Sequence, residues 1–324
     1  MKLTGAVVLL LLAAGFSVQA AEYPPAPRLL PVDCDRTCLY GFIDQYLDAL
    51  QHKDATRLAW ARNARYTENN VELPVGEGLW GTITGLGSYK LRFADTATGQ
   101  VSVFGAVDEA DATSAYALRL KVVDRRISEA EMLVVRIKDF GALGAGPNPF
   151  ANPRFDDKPI LQQNLKAGEG RPRERMISLA DGYFDTLQLN DGQLFTEFDA
   201  ACDRIENGLR TTNNPAMPLG PTSALGCAAQ FKLGVYRYDD RLRARRYPLV
   251  DEERGIVLSA GFIDHSGRLG EFKLTDGTST TSVIRHPHSF YFIELFKIVD
   301  GKLRQIESVF ITVPYNMPSP WSSP

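Results

Sequence analysis

The chain has 324 residues, 44% of them hydrophobic and 23% charged, which is the composition of a globular protein with one large or two ordinary domains. This composition excludes a disordered chain and a collagen-like or coiled-coil fibre. The 36 basic and 39 acidic residues give a net charge of -3, and Lys and Arg are scattered along the sequence. Nucleic acid is therefore not an expected partner.

The first twenty residues, MKLTGAVVLLLLAAGFSVQA, have the pattern of a secretory signal peptide: one Lys, an apolar run from Ala6 to Ala14 and small residues at the end. The alternative is a retained anchor, but the apolar run is about half of the roughly 20 residues that cross a bilayer. We expect residues 1–20 to be removed and the protein to be exported to the periplasm or the extracellular space, without stable insertion in a membrane.

Four cysteines follow the signal peptide, at positions 34, 38, 202 and 227. An even number suits an oxidising compartment and predicts two disulfides. Three pairings are possible, and we favour Cys34 with Cys38 and Cys202 with Cys227 because each pair then stays within one half of the chain. A zinc site is the alternative, but the first two cysteines have neither CxxC spacing nor a nearby His pair. We expect no metal and no cofactor.

The sequence contains an internal repeat. DQYLDALQHKDATRL, from Asp44, matches DGYFDTLQLNDGQLF, from Asp181, at six of fifteen positions, and LKVVDRRISEAE, from Leu120, matches FKIVDGKLRQIE, from Phe296. The region between the repeats is rich in Gly, Pro and Asn, which is typical of a linker. We place the first copy at residues 34–140, the linker at 141–170 and the second copy, which carries an insertion, at 171–316.

In each copy the hydrophobic pattern predicts helices first and strands afterwards. Apolar residues recur at helical spacing over 39–50 and 176–187, and short second helices are expected at 55–61 and 192–200. Alternating patterns then predict strands at 101–108, 114–124, 127–137, 227–238, 254–264, 288–300 and 303–313, with hairpin turns at 124–126 and 300–302. The predicted fold class is α+β: two fused cone-shaped domains, each with N-terminal helices packed on a curved antiparallel sheet. The copies are expected to pack sheet to sheet as an internal pseudo-dimer, in a protein that is a monomer or a homodimer.

Three segments of the first copy resemble the nuclear transport factor 2-like, or SnoaL-like, superfamily: the strand end Tyr66–Asn69, the GxGLW motif at Gly76–Trp80 and the hairpin at 120–131. The resemblance extends over both copies. It implies a cone-shaped pocket that in this superfamily hosts isomerases, dehydratases, cyclases, epoxide hydrolases, lyases and plain ligand binders. No single catalytic motif unites these proteins.

Two Glu-Asn pairs, Glu68-Asn69 and Glu206-Asn207, occur at matching places in the repeat. A carboxylate beside a carboxamide can orient and deprotonate a carbonyl or hydroxyl compound, provided that burial raises the pKa of the Glu. The alternative is that both pairs only stabilise the same turn.

Glu294 lies in an alternating strand, on the same predicted face as His288, Phe290, Phe292 and Phe296, whereas the first copy has Leu118 at its position. If this face lines the cone, burial raises the pKa of Glu294 into the range of acid-base catalysis. The alternative is that the opposite face is buried and that Glu294 pairs with a surface Arg. His288 could act with Glu294 as a general acid or base, or could be a structural histidine.

The insertion contains the charged segment RLRARRYPLVDEERG, from Arg241, which is typical of a solvated loop. One of its two adjacent arginines could nevertheless enter the pocket and bind an oxyanion, and we select Arg246. Tyr66 is a further candidate for binding, although a buried aromatic residue is more often part of the core.

These features together predict an exported, cofactor-independent lyase, isomerase or dehydratase that acts on a small hydrophobic hydroxy or carbonyl compound, aromatic compounds included. In this hypothesis Glu294, Glu206 and His288 are catalytic, and Asn207, Arg246, Tyr66, Glu68 and Asn69 bind the substrate. The alternative function is a periplasmic protein that binds a small molecule without converting it.

Overall fold

The computed structural model describes residues 33–110, 112–136, 155, 158–217 and 221–321. The predicted signal peptide and most of the predicted linker lie outside the described residues. Within them, no helix combines the length and the apolar character needed to cross a bilayer.

The first copy begins with a long helix and continues with a short 3-10 helix (Ala55–Arg57), six strands and one short α-helix. Its elements are α1 (Arg36–Gln51), β1 (Trp60–Glu68), β2 (Val71–Glu72), α2 (Leu79–Thr82), β3 (Ile83–Asp95), β4 (Gln100–Glu109), β5 (Ala112–Val123) and β6 (Arg126–Val135). Asp35 caps α1 by accepting a hydrogen bond from the backbone N–H of Cys38. The helix buries the apolar face that the sequence pattern predicted.

The second copy repeats this order with additional short elements. A short helix, α3 (Pro159–Gln162), precedes α4 (Arg173–Leu189), β7 (Phe198–Glu206), β8 (Leu209–Arg210), α5 (Cys227–Leu233), β9 (Arg241–Asp251), β10 (Ile256–His265), β11 (Glu271–Lys273), β12 (Ser279–Thr281), β13 (His288–Val299) and β14 (Lys302–Val313). The strands β11 and β12 form a separate hairpin within this copy.

Two six-stranded sheets with the same strand order form the body of the protein. The orders are β2-β1-β6-β5-β4-β3 and β8-β7-β14-β13-β10-β9. In each sheet all neighbours are antiparallel except one pair, β1 with β6 and β7 with β14, which is parallel. The predicted α+β class with two similar domains is therefore confirmed, with one parallel pair in each otherwise antiparallel sheet.

Four local predictions are wrong in whole or in part. The helix expected at 55–61 is only a short 3-10 helix, Ala55–Arg57, and β1 already begins at Trp60. Residues 192–197 contain no helix, and β7 already begins at Phe198. The predicted strand at 227–238 begins instead with α5, in which the buried residues Cys227, Gln230 and Phe231 follow helical spacing. The charged segment at 241–251 is not a loop but the edge strand β9.

Tertiary partners explain why β9 can be a strand despite its four arginines. Arg243 pairs with Asp264 on the neighbouring strand β10 at 2.8 Å, and Arg245 pairs with Asp185 on α4 at 2.7 Å. Each charge thus has a carboxylate partner that is remote in sequence.

The hairpin turns after β5 and β13 are confirmed. Both central residues of each turn have positive φ, at 49° and 55° for Asp124 and Arg125 and at 50° and 75° for Asp300 and Gly301. This backbone suits the right-handed twist of a two-residue hairpin. Gly301 adopts it without strain, whereas Arg125 must accept a left-handed conformation that favours glycine.

The convex faces of the two sheets pack against each other. Ala117 and Leu133 of the first sheet lie in one buried cluster with Leu258, Ile293 and Val309 of the second. The molecule is therefore an internal pseudo-dimer in which each sheet buries one face against the other copy.

Two ion pairs related by the repeat join the copies. At the start of α1, Arg36 binds Asp251 of the second copy through two hydrogen bonds of 2.6 and 2.8 Å. At the start of α4, Arg173 binds Asp95 of the first copy through bonds of 2.7 and 2.8 Å. Both carboxylates are buried, and such reciprocal contacts are the mark of an isologous interface.

Both predicted disulfides are confirmed. Cys34 bonds Cys38, and Cys202 bonds Cys227, with Cα–Cα distances of 5.2 and 5.7 Å. The second bond ties α5 to β7. Two disulfides fit an oxidising environment.

Candidate functional site

A cavity of about 270 Å³ lies in the second copy, between the concave face of its sheet, α4 and the β11–β12 hairpin. Most of its wall is aliphatic and aromatic, and includes Leu187, Ile263, Phe272, Phe290, Phe292 and Phe310. Such a wall with a few polar groups is typical of a small-molecule site.

A row of three polar side chains crosses the floor of this cavity. Glu206 on β7 pairs in register with Ser308 on β14, and Ser308 pairs with Glu294 on β13. All three line the cavity. Because neighbouring strands lie about 4.8 Å apart, the backbones of the two Glu residues are roughly 10 Å apart, and their side chains extend over the same surface.

Arg204 lies on β7 two residues before Glu206, and therefore on the same face. Its Nη2 donates to Glu206 Oε1 at 2.9 Å and to the Tyr236 hydroxyl at 2.7 Å. The guanidinium is buried; although burial opposes its charge, Glu206 and Tyr236 keep the pKa of Arg204 above its usual range. Its Nε and Nη1 are buried and have no hydrogen-bond partner among the described residues.

Tyr236 in turn donates to Gln230 Oε1 at 2.7 Å, and the Gln230 amide donates to two backbone carbonyls. Gln230 lies on α5, which the Cys202–Cys227 disulfide fixes against β7. The disulfide therefore supports the position of the Arg204 side chain through Tyr236.

Glu294 is 4% exposed, and its pKa is raised to about 8. The main cause is burial, which disfavours the charged form, and the negative charge of Glu206 adds to it. Arg204 and the Tyr183 hydroxyl act in the opposite direction and do not cancel the effect. At neutral pH Glu294 is thus mostly a neutral acid, while Glu206 forms an ion pair with Arg204.

His288 does not line the cavity, although it shares a strand face with Glu294. Its Nδ1 lies 2.8 Å from the His286 carbonyl oxygen, its ring stacks on His265 at 4.7 Å, and burial lowers its pKa. His265 connects to the cavity through Asp239, whose carboxylate lies 2.8 Å from His265 Nε2. Among the described residues, no cluster of three or more His, Cys, Asp or Glu side chains could hold a metal ion.

The first copy uses Glu68 differently from its counterpart Glu206. The Glu68 carboxylate accepts hydrogen bonds from the Leu79 backbone N–H at 2.6 Å, the Tyr66 hydroxyl at 3.1 Å and Arg136 at 2.9 Å. A Cβ at Gly78 would lie only 2.3 Å from this carboxylate, which explains the glycine. Glu68 and Tyr66 thus hold the GxGLW turn in place.

The rest of the floor in the first copy is apolar. The positions of Ser308 and Glu294 are occupied by Met132 and Leu118, which pair with Glu68 and with each other in the same register. Both are buried in a core that includes Trp80 and Tyr116. These side chains form an apolar core at the positions where the second copy has its polar floor.

Asn69 and Asn207 lie in turns rather than facing the cavity. Both have positive φ, 51° and 49°. The Asn207 side chain accepts from the Phe310 N–H at 2.9 Å and donates to the Phe310 carbonyl at 3.1 Å, and Asn69 makes the same two bonds with Val134. Each Asn therefore continues the pairing of its strand with the neighbouring one.

Arg246 lies between the sheets and outside the cavity. Its Nη2 is 2.5 Å from Glu131 of the first copy, which also accepts hydrogen bonds from Arg119 and Tyr291. Of the sequence-based candidates, the structure brings only Glu206 and Glu294 to the cavity.

Sequence reasoning missed Arg204, Tyr183, Tyr236, Gln230 and Asp239. Arg204 had a detectable signal in the repeat, where it occupies the position of Tyr66 in the first copy. The two copies differ there from an aromatic to a charged residue, much as they differ between Leu118 and Glu294. The other four gave no such signal, because the contacts that place them at the cavity are formed between different elements.

Comparison with solved structures shows matches that each cover about a third of this chain, such as the following two. A protein of unknown function with a cystatin-like fold from Methylobium petroleophilum PM1 matches at 13% identity, over 32% of this chain and 79% of that one, with a TM-score of 0.28. An NTF2-like protein from Cytophaga hutchinsonii ATCC 33406 matches at 12% identity, over 31% and 98%, with a TM-score of 0.25. At TM-scores this low the similarities carry no argument, and the nuclear transport factor 2-like resemblance stays a prediction.

No curated protein matches the chain. The family model described as "Domain of unknown function (DUF8021)" matches residues 33–141 and 169–310, which together make up more than half of the sequence. The protein belongs to this family.

Proposed function

We propose that the cavity of the second copy is the active site of a cofactor-independent lyase, isomerase or dehydratase that acts on a small hydrophobic hydroxy or carbonyl compound. The observation that carries the proposal is the pair of carboxyl groups on its floor. Glu294 is buried and neutral, whereas Glu206 is held by Arg204. Two carboxyl groups whose environments differ in this way can serve as the acid and the base of one reaction.

The chemistry follows from the two protonation states. Glu294 donates its proton to a substrate oxygen, a carbonyl in an isomerisation or a leaving hydroxyl in a dehydration. Glu206 accepts a proton from the neighbouring carbon, so that an enol or a carbon–carbon double bond forms and, in a dehydration, water departs. The positive charge of Arg204, which lines the cavity, stabilises negative charge that develops on the oxygen.

Cavity size and composition limit the substrate. The volume of about 270 Å³ lies just below the range of roughly 300–1,000 Å³ found for small-molecule sites, so a compact compound is favoured. The aromatic wall formed by Phe290, Phe292 and Phe310 suits an apolar body, and the polar floor suits a single oxygen-bearing end.

The first copy, in this proposal, is a scaffold without a site of its own, because its floor is apolar and Glu68 is fully engaged. We place the domain limits at 34–140 and 171–316, as the repeat indicates, and regard both copies as SnoaL-like. We also propose that the protein is exported, which the two disulfides support.

The second candidate function is a binding protein that does not convert its ligand. The mainly apolar wall supports it, because binding needs only such a wall and a few hydrogen-bond donors. The two candidates differ in what they require of Glu294 and Glu206.

The test is a thermal-shift screen of the protein against small aromatic alcohols, lactones and terpenoids, with mass spectrometry of each stabilising compound after incubation. Glu294→Gln and Glu206→Gln are screened in parallel. Thr280→Val, which changes the cavity wall but no titratable group, is the control. The enzymatic function is supported if the wild type and the control convert a compound that one of the Gln variants binds but does not convert. Hits that bind unchanged to all four proteins identify a binder.

A further inference from the structure

A second concave region, called here the basic cleft, lies where the edge of the second sheet crosses the convex face of the first. It has a volume of about 980 Å³ and is formed by β1, β5, β6, β9 and the C-terminal segment that contains Trp321. Six cationic side chains line it: Arg62, Arg65, Arg119, Lys121, Arg126 and Arg246. This concentration is unexpected in a protein whose net charge is -3.

The carboxylates nearby do not neutralise these cations. Four lie among them, Glu72, Asp124, Glu129 and Glu131, so two positive charges are in excess. Arg62 and Arg126 are exposed and form no ion pair within the described part of the chain. At the base of the cleft Arg119 and Arg246 share Glu131, and Arg246 Nε has no hydrogen-bond partner among the described residues.

Aromatic rings accompany these charges. The Trp321 ring lies 5.0 Å from the Arg65 guanidinium, 4.8 Å from that of Arg119 and 5.8 Å from that of Arg246. Its Nε1 donates to Thr67 Oγ1 at 3.1 Å, which fixes the ring against β1. Trp60 forms another part of the lining and is also half-buried. The cleft thus combines fixed indole rings with guanidinium groups.

The repeat shows that the fold does not require this charge. The positions of Arg62, Arg65 and Arg119 are occupied in the second copy by Ala200, Asp203 and Leu295. The equivalent surface there is also covered by the chain: Lys297, the counterpart of Lys121, is buried and donates to the Gln163 carbonyl at 2.7 Å. The second copy therefore covers this surface with its own backbone, whereas in the first copy the described residues leave it accessible and basic.

We propose that the basic cleft binds an acidic oligosaccharide, a chain of sugar rings that carry carboxylate or sulfate groups. Guanidinium groups bind both anions through paired hydrogen bonds, and indole rings provide flat apolar surfaces on which sugar rings can pack. The disulfides favour this ligand over nucleic acid, because they fit an oxidising compartment outside the cytoplasm. The proposal is independent of the cavity and of its chemistry.

The test measures binding of a size-defined oligogalacturonate and a heparin hexasaccharide by calorimetry, with a neutral oligosaccharide and single-stranded DNA as comparison ligands. Arg126→Glu is the main variant, and Lys302→Glu is its matched control, because Lys302 occupies the same repeat position in the second copy and is equally exposed. Trp321→Ala tests the ring. Circular dichroism establishes that each variant is folded.

We expect the wild type to bind at least one of the two acidic oligosaccharides, and the preferred one distinguishes carboxylate from sulfate. Arg126→Glu should weaken binding at least tenfold, Trp321→Ala several-fold and Lys302→Glu less than twofold. Three results would overturn the proposal: no binding of either acidic ligand, equal losses in Arg126→Glu and Lys302→Glu, or equally tight binding of DNA with the same dependence on Arg126.

Discussion

Replacement of Glu294 by Gln should change how the stability of the protein depends on pH. Glu294 titrates at about 8 in the folded protein, against an ordinary value of 4.5. A tenfold change in an ionisation constant corresponds to about 1.4 kcal/mol, so the difference between the two pKa values corresponds to roughly 5 kcal/mol. Because the group is buried, this electrostatic cost is not screened by solvent.

The direction follows from where the proton is bound. Below pH 4.5 both the folded and the unfolded chain carry the proton, so the ionisation of Glu294 does not affect the free energy of unfolding. Between about pH 4.5 and 8 the unfolded chain has lost the proton while the folded protein keeps it, so a rise in pH favours unfolding. The free energy of unfolding of the wild type should therefore fall by roughly 5 kcal/mol relative to that of Glu294→Gln, and above pH 8 the difference should become constant.

Urea denaturation of both proteins, at intervals from pH 4 to 9 and with the disulfides intact, measures this difference. The contributions of the other titrating groups cancel in the difference because both proteins contain them. Glu206→Gln is the second variant: it removes the negative charge that helps to raise the pKa of Glu294, so the decline should begin at the same pH and end at a lower one. If the difference between wild type and Glu294→Gln changes by less than 1 kcal/mol across the range, Glu294 is not the buried neutral acid described above.

Three further predictions concern the frame around the site. Arg36→Ala and Arg173→Ala should each lower the free energy of unfolding by about 3 kcal/mol in urea denaturation, because each leaves a buried Asp without its ion-pair partner. If one of the two variants is as stable as the wild type, the two ion pairs are not equivalent. The double variant Cys202→Ser/Cys227→Ser should lose roughly 3.5 kcal/mol of stability and Cys34→Ser/Cys38→Ser roughly 2 kcal/mol, because the loop-closure entropy grows with the length of the closed loop. Equal decreases in the melting temperatures of the two double variants would argue against this cause. Leu118→Glu introduces the carboxyl group of the second copy into the apolar core of the first, and should lower stability by at least 3 kcal/mol at pH 8 and by less at pH 4. If the loss is the same at both pH values, the first copy can accommodate the charge.

Most of the frame could be predicted from the sequence because its strands and helices follow simple periodicities. The helices α1 and α4 bury residues at three- and four-residue steps, and β13 and β14 combine long apolar runs with clear hairpin turns. The strand β9 could not be recognised, because its arginines are neutralised only by partners in other elements, such as Asp264 and Asp185. Periodicity carries no information about such partners.

The same limit applies to the candidate site. Strand alternation and the contrast with Leu118 were enough to single out Glu294. They could not show that Asn207 would use its side chain to pair with the backbone of β14, or that Arg246 would lie against Glu131 in the other copy. Both contacts depend on how the two sheets and their turns come together in space.

The reciprocal ion pairs between the copies also carry information about ancestry. Arg36 and Arg173 occupy one position of the repeat, and Asp95 and Asp251 occupy another, so either half contains both partners of the bond that joins the halves. A single half could therefore have formed the same contacts with an identical subunit, as expected of a homodimeric ancestor whose gene was duplicated and fused. Fusion then allowed the two halves to diverge, so that the first has Leu118 at the position where the second has Glu294.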